Sequence, residues 1–355
     1  MVDRTPPSTP TSVGIVGLGL IGGSLARRLV SRGVNVTAWN HRDHPYAQAT
    51  ADGIRCVPDL RDLAQDRPDV LVLCNPLRAM PEVLAALAPA IDRQATTLTD
   101  VGSVKGMVRS QVEAAGLGEC YVGAHPMAGN ELSGWRSADP ALYDDALWAV
   151  TVRGDTEYPR FAAVARMITA GAGNRMIVLD DGTHDRAAAL ISHMPHVVAT
   201  AMINELTDDP DRNIAAALAA GSWRDMTRVA LTDPDRTRAM VEEDAANVED
   251  LLRRMAGRLN AAADMLRDGD GTALTRFFAE GQPFRDYKMA QRAMPPDNAA
   301  SGDSNRYAER ELRIDPMHWQ DDLIASARRG EHITAFAEDR AGHATIRVQL
   351  RSAVA

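Results

Sequence analysis

The sequence predicts an α/β protein, with a doubly wound parallel sheet on the N-terminal side, an all-helical segment after it, and a small βαββ tail. Three observations carry this. Short apolar, β-rich runs alternate with helical stretches from Ser12 to about Leu179. Strand signals stop after Asp180, while helical periodicity continues to about Met289. A stretch rich in Pro, Gly, Ser, Asn and Asp then sets the last residues apart. The divisions so drawn are 11–179 for the sheet domain, 180–292 for the helical domain, 293–306 for a flexible linker and 307–355 for the tail.

In order, the predicted strands of the sheet domain are Val13 to Val16, Val34 to Trp39, Val70 to Cys74, Thr96 to Thr99, Cys120 to Ala124, Leu147 to Val152 and Arg175 to Leu179. Several end on a polar residue or glycine, namely Gly17, Asn40, Asn75, Asp100 and His125. Ligands of open α/β sheets bind outside the carboxyl ends of the strands, so these residues are expected around one crevice. In the helical half, Val241, Ala245, Val248, Leu252, Met255, Leu259, Ala262 and Leu266 alternate in steps of four and three and form a narrow apolar seam. Such a seam packs within its own domain or against a second copy. The tail reads as strand (Glu311 to Ile314), helix (Met317 to Arg329), strand (His332 to Ala337) and strand (Ala344 to Leu350), about half of a ferredoxin-like unit.

A chain of 355 residues is too long for one ordinary core, and 45% hydrophobic with 25% charged residues is the composition of a globular protein. No apolar run approaches the ~20 residues needed to span a bilayer. Residues 1–11 are polar and Pro/Thr-rich without an apolar core, so they read as a frayed lead-in, and a cytoplasmic protein is expected. Cys56, Cys74 and Cys120 are scattered and odd in number, which argues against a disulfide framework or thiolate metal site. A formal net charge of -9 with no basic patch argues against nucleic-acid binding. An anionic small molecule would require local positive charge instead.

The segment Gly17-Leu18-Gly19-Leu20-Ile21-Gly22 follows a strand and opens a helix, the context of a Rossmann-type dinucleotide fingerprint. Its glycines permit a tight turn and close backbone approach to a pyrophosphate, with the free amides of the helix start facing the phosphates. At the end of the second strand, where an acid would hold the ribose hydroxyls of NAD, the sequence reads Asn40-His41-Arg42. A neutral residue followed by cations favours the 2′-phosphate of NADP, while Asn40 hydrogen-bonding an NAD ribose is the alternative. Asn75 and Asp100, at neighbouring strand ends, complete the expected cofactor contacts.

Beyond the fingerprint stand Asp100-Val-Gly-Ser103-Val-Lys105 and His125-Pro-Met-Ala-Gly-Asn130-Glu131-Leu-Ser-Gly134, and in the helical half Ser192-His193-Met194-Pro195-His196 and Gly221-Ser-Trp-Arg224-Asp225-Met-Thr-Arg228. Together, in this order, these motifs resemble the prephenate and arogenate dehydrogenase family over roughly Val13 to Met289. The tail is outside the resemblance. What it implies is nicotinamide-dependent oxidation of a cyclohexadienyl substrate with loss of carbon dioxide, yielding 4-hydroxyphenylpyruvate from prephenate or tyrosine from arogenate. It also implies a homodimer through the helical domain and no metal.

The resemblance makes His125 the catalytic base. From the sequence, His125 precedes a proline, which holds its backbone extended at a strand terminus, and an imidazole is suited to accept the proton of a ring hydroxyl as hydride departs. Ser103 is expected to share a hydrogen bond with that hydroxyl or with His125, or else to cap a helix with Lys105 solvated in its first turn. Asn130 and Glu131 would shape the pocket mouth or form only a turn. Pro195 cannot donate to the Ile191 carbonyl, so a kink is expected that re-aims Ser192, His193 and His196 toward substrate. By resemblance Arg228 grips a substrate carboxylate, with Arg224 adding field and Asp225 orienting the cations. Two rivals stand beside this reading. A β-hydroxyacid dehydrogenase would need a helix-borne lysine, yet the helical half holds only Lys288; a non-catalytic redox sensor would not need His125, His196 and Arg228.

Overall fold

The computed structural model describes residues 10–130, 132–293, 307–315, 317–338 and 344–351. The linker expected over 293–306 lies outside them from residue 294 on, as does Glu131. The chain forms two compact units, one taking the residues up to His184 together with Ala308–Leu350, the other Asp185–Tyr307.

The first unit contains an all-parallel sheet of β1 (Ser12–Val16), β2 (Asn35–Trp39), β3 (Arg55–Cys56), β4 (Val70–Leu73) and β5 (Thr97–Asp100), in the order β3-β2-β1-β4-β5. Helices α1 (Leu20–Ser31), α2 (Tyr46–Ala51), α3 (Leu60–Gln65), α4 (Met80–Leu87) and α5 (Gly106–Ala114) accompany it. Both faces of β4 are buried: Val70 and Val72 join one apolar cluster with Leu25 and Leu29, while Leu71 and Leu73 join another with Leu63 and Leu84. That is why this strand is a continuous apolar run and shows no alternation. The strand order reverses between β1 and β4, which sets a crevice at their carboxyl ends.

A second sheet runs β6-β7-β8-β10-β11-β9, from β6 (Gly123–Pro126), β7 (Leu147–Thr151), β8 (Arg175–Leu179), β9 (Glu309–Arg313), β10 (Glu331–Glu338) and β11 (Ala344–Leu350). A single parallel bridge, Leu98↔Tyr121, sets its start beside β5. Here the structure corrects the expectation of one parallel sheet through Leu179, because β6 and β7 are antiparallel, pairing His125 with Ala149 and Pro126 with Trp148. A parallel neighbour needs a crossover helix, and the described residues of 127–146 hold only two short turns, Trp135–Ser137 and Pro140–Tyr143. From β7 to β8 helix α6 (Tyr158–Arg166) supplies the crossover and the pairing is parallel.

The tail has the expected order of strand, helix, strand, strand, its helix spanning Trp319–Arg328. Instead of standing apart it continues the second sheet, through Ile333 on Met176, and buries Trp319 against Phe161 with ring centroids 4.7 Å apart. Those partners lie more than a hundred residues upstream, beyond the reach of any local pattern.

The second unit is helical, with α7 (Asp181–Ala188) leading into it, then α8 (Met194–Asp208), α9 (Arg212–Leu218), α10 (Gly221–Thr227), α11 (Pro234–Glu242), α12 (Ala245–Arg267), α13 (Gly271–Ala279) and α14 (Gln282–Ala293). Asp233 and Asp270 cap α11 and α13 by accepting from Arg236 N and Ala273 N. The seam of α12 divides along its length: Val248 is buried with Val241, Leu252 and Met255 against Ala189 and Met194, whereas Leu259 and Leu266 are 59% and 66% exposed. Ile191, Ile214, Leu218, Leu231, Phe278 and Met289 are exposed as well. No helix among the described residues is long and apolar enough to cross a membrane.

Candidate functional site

The glycine turn sits where the fingerprint requires. Gly17 has φ +104, a conformation that a side chain would strain. A Cβ on Gly22 would stand 2.1 Å from the Gly17 carbonyl oxygen, so helix and turn meet only because both residues are glycine. Around Gly19 the space is open, with no atom within 4 Å of a Cβ position, and Gly19 is the residue that opens α1. A closed turn, an open glycine and an orphaned helix N-terminus fit the pyrophosphate of a dinucleotide. Leu18 and Leu20 are buried and contribute packing, while Ile21 is partly exposed.

Asn40 links the end of β2 to the glycine turn. Its Oδ1 accepts from Leu18 N at 2.9 Å and its Nδ2 donates to the Arg42 carbonyl at 2.8 Å. His41 and Arg42 are exposed, and the Arg42 guanidinium has no partner among the described residues. Asn75, beyond β4, donates through Nδ2 to the Pro76 carbonyl, and its Oδ1 is buried without a partner.

Asp100 corrects its expectation as a cofactor contact. It has no exposed surface, and its oxygens accept from Gly102 N at 2.8 Å, Tyr121 Oη at 2.8 Å, Ala124 N at 3.3 Å and Lys105 Nζ. Lys105, far from being solvated, is equally buried and also donates to the Ala124 carbonyl at 2.8 Å. Burial and the Asp100 charge push the Tyr121 hydroxyl well above its ordinary value, so it remains a proton donor. This network joins the end of β5 to the residue before His125. Ser103, partly exposed, caps no helix, since α5 begins at Gly106 after Lys105, and its hydroxyl has no partner among the described residues.

His125, at the carboxyl end of β6, meets a residue the sequence reading missed: its Nδ1 lies 2.9 Å from Nε2 of His184, with the rings edge-on. One ring donates N–H and the other accepts. His184 is 3% exposed in the first turn of α7, a helix started by Asp180, whose carboxylate accepts from Thr183 N and Thr183 Oγ1, both at 2.7 Å. The next residue, Asp181, forms a salt bridge with Arg109 of α5, whose guanidinium lies 5.1 Å from the Tyr121 ring. Burial opposes the Arg109 charge, but the Asp181 carboxylate more than offsets it and leaves the guanidinium above its ordinary value. Two buried charge networks therefore hold the two histidines. A polar residue at the start of a helix that follows a strand end was the available signal for His184, the same signal that marked Ser103.

In the second unit the helix before Pro195 widens into a π turn over Ala189–His193. His193 has no exposed surface, lies 3.1 Å through Nδ1 from Asp244 Oδ2 and leaves its Nε2 buried without a partner, which corrects its expectation as a substrate contact. His196 is partly exposed, and its Nδ1 lies 2.9 Å from the Ser192 carbonyl, an acceptor that fixes the proton on Nδ1 and leaves Nε2 as the accepting nitrogen. Arg224 and Arg228 are exposed without partners among the described residues, and Asp225 does not pair with them. Asn130 Oδ1 accepts from Leu132 N at 2.9 Å, making the turn foreseen as its structural role.

Comparison with known proteins agrees with this organisation. Two family models match, prephenate dehydrogenase, nucleotide-binding domain, over residues 25–178, and prephenate dehydrogenase, dimerization domain, over residues 180–280. The cyclohexadienyl dehydrogenase of Zymomonas mobilis is 30% identical over 77% of this chain and 94% of its own length. Among solved structures, prephenate dehydrogenase from Aquifex aeolicus in complex with hydroxyphenyl propionate and NAD+ aligns with a TM-score of 0.70 at 27% identity, covering 78% of this chain and 97% of that one. Synechocystis arogenate dehydrogenase aligns with 0.69 at 26% identity, covering 78% and 99%. With a dinucleotide turn, a histidine at the end of β6 and a helical second unit in the order of the matched domains, the chain belongs to the prephenate dehydrogenase family.

Proposed function

We propose that this chain oxidises prephenate to 4-hydroxyphenylpyruvate and carbon dioxide, with NADP+ preferred over NAD+. The observation that carries the reading is His125 at a strand terminus, its Nδ1 against His184 and its backbone neighbour Ala124 fastened by Asp100 and Lys105. A base so fixed is matched to a substrate hydroxyl presented to its other ring nitrogen, Nε2. NADP+, when bound at Gly17–Gly22, supplies the hydride acceptor. His125 takes the proton of the ring hydroxyl as the carbinol carbon gives up hydride. The bond to the ring carboxylate then breaks, carbon dioxide leaves, its electron pair enters the ring and moves onto the new carbonyl oxygen, and His125 returns the proton to that oxygen to give the phenol. Aromatisation drives the chemistry, so the side chains mainly orient and exclude. Ser103 shares the hydroxyl hydrogen bond, Asn130 and Glu131 contribute to the pocket mouth, and in the helical unit Arg228 holds a carboxylate with His196 while Arg224 adds field.

The NADP preference rests on the exposed Arg42, unpaired among the described residues, and on the absence of a carboxylate at Asn40, whose amide oxygen accepts from Leu18 N. We also propose a homodimer through the helical unit, supported by the matched dimerization domain and the exposed Leu259 and Leu266, and work in the cytoplasm, where Cys56, Cys74 and Cys120 stay free thiols. The test is nicotinamide reduction followed by absorbance, with prephenate and arogenate each paired with NADP+ and NAD+. Turnover of prephenate with NADP+ is the expected result. Turnover of arogenate alone would assign the substrate of the Synechocystis relative instead, and folded, cofactor-binding protein with no turnover would overturn the reading.

A further inference from the structure

The segment between β6 and β7 starts at the candidate base and ends on the cofactor helix. At its start, Met127 N donates to the Leu147 carbonyl at 2.8 Å, directly after His125 and Pro126. Its remainder is built onto α1. Trp135 is 4% exposed and its ring lies so close to Gly23 that a Cβ there would stand 2.9 Å from Cε3. The Arg27 guanidinium covers the same ring at 4.1 Å from its centroid, is fixed by Asp52 at 2.8 Å and donates to the Ala138 carbonyl. The indole N–H donates to Gln48 Oε1 of α2 at 3.0 Å. Asp139 N donates to Ser24 Oγ at 2.8 Å and Tyr143 Oη to the Ile21 carbonyl at 3.2 Å. Successive turns of α1 thus hold the segment, beginning one residue before Gly22 of the cofactor turn.

We infer that Trp135 is a positioning residue that couples the cofactor turn to the loop that follows His125. Trp135 closes the loop that leaves His125 and is itself seated on α1, the helix capped by Gly19, through Gly23 and Arg27. Occupancy of the turn steadies α1, and α1 steadies the loop, so each ligand binds more tightly when the other is present. The substrate side of this inference rests on the proposed function.

The experiment uses the full chain and calorimetric titration of hydroxyphenyl propionate with and without NADP+. In wild type, NADP+ is expected to tighten hydroxyphenyl propionate about 10-fold. Trp135→Leu is expected to reduce that factor below about 2-fold while NADP+ affinity alone stays within about 2-fold, since the turn itself is untouched. Trp135→Phe keeps the ring on Gly23 and Arg27 and loses only the Gln48 hydrogen bond, so an intermediate factor of about 3-fold is expected, matched by Gln48→Leu. Trypsin gives a readout independent of substrate: NADP+ should protect the exposed Arg136 site in wild type and not in Trp135→Leu. Wild-type coupling in Trp135→Leu overturns the inference, as does loss of NADP+ affinity together with coupling, which marks a merely structural role. If Trp135→Leu does not fold, Trp135→Phe and Gln48→Leu decide, and full coupling in both overturns it. Tight hydroxyphenyl propionate binding without coupling in wild type refutes the inference alone; no binding in either state withdraws the substrate reading and this inference with it.

Discussion

Around His125 the polar side chains are buried and paired with one another, Asp100 with Lys105 and Tyr121, Arg109 with Asp181, His184 with His125 itself. The helical unit buries one such pair, His193 with Asp244, but elsewhere Arg224 and Arg228 are exposed and unpaired among the described residues, and Leu218, Leu231 and Leu266 present apolar surface to solvent. Buried, satisfied networks make a rigid frame, since each member fixes its neighbours at high cost to any that is lost. Exposed guanidinia and leucines are the inventory of recognition, available to anions and to a second copy. On the proposed function, chemistry falls to the buried frame and binding to the exposed side chains.

The sharpest way to break this comparison is to remove one residue from each side. His125→Asn is expected to lower kcat by about 10²–10⁴ with KM little changed, whereas Arg228→Ala is expected chiefly to raise KM. Steady-state kinetics with prephenate separates the two, and equal loss of both parameters in both variants would erase the division of labour. Next in size, Lys105→Met leaves Asp100 buried without its cation and is expected to cost about 3–5 kcal/mol in chemical denaturation. Adding Asp100→Asn should recover part of that loss, because the uncompensated charge is the main penalty.

On the open side, Leu259→Glu with Leu266→Glu is expected to weaken self-association at least about 100-fold in sedimentation while thermal stability of the first unit changes little. Arg42→Ala is expected to raise KM for NADP+ about 10-fold and leave NAD+ within about 2-fold, narrowing the cofactor preference. The smallest effect concerns Glu331 of the tail. Burial would raise its carboxyl, but hydrogen bonds from Arg329 and Ser326 and the Arg310 charge hold it below the ordinary glutamate value. Its stabilisation is therefore full above the unfolded value of about 4.3 and is lost as pH falls through the folded one. Glu331→Gln should lower the melting temperature at pH 7 and lose that deficit toward pH 2.

The parts legible in the sequence are those whose cause is local. The turn at Gly17 and Gly22 shows because only glycine meets its backbone and packing demands, the parallel strands because burial on two faces enforces unbroken apolar runs, and the βαββ tail because its period switches cleanly. What was hidden depends on partners far along the chain. Asp100 reads as a crevice residue and Lys105 as a solvated one until Tyr121 and Ala124 close over both. His193 and His196, three residues apart, read as joint substrate contacts until Asp244, 51 residues on, meets the His193 ring. His184, 59 residues from His125, has no spacing to announce it. The antiparallel β6–β7 pair was missed for a simpler reason, since strand direction follows from the connection and the connection here is too poor in helix for a crossover.

The measurement that tests the central claim most directly is the pH dependence of kcat/KM for prephenate, in wild type and in His125→Asn. With His125 as the proton acceptor, the wild-type profile rises across the imidazole range to a plateau, and the variant is lower at every pH and flat through that range. A variant profile that keeps the wild-type rise, at whatever rate, would show that another group takes the proton and would contradict the account.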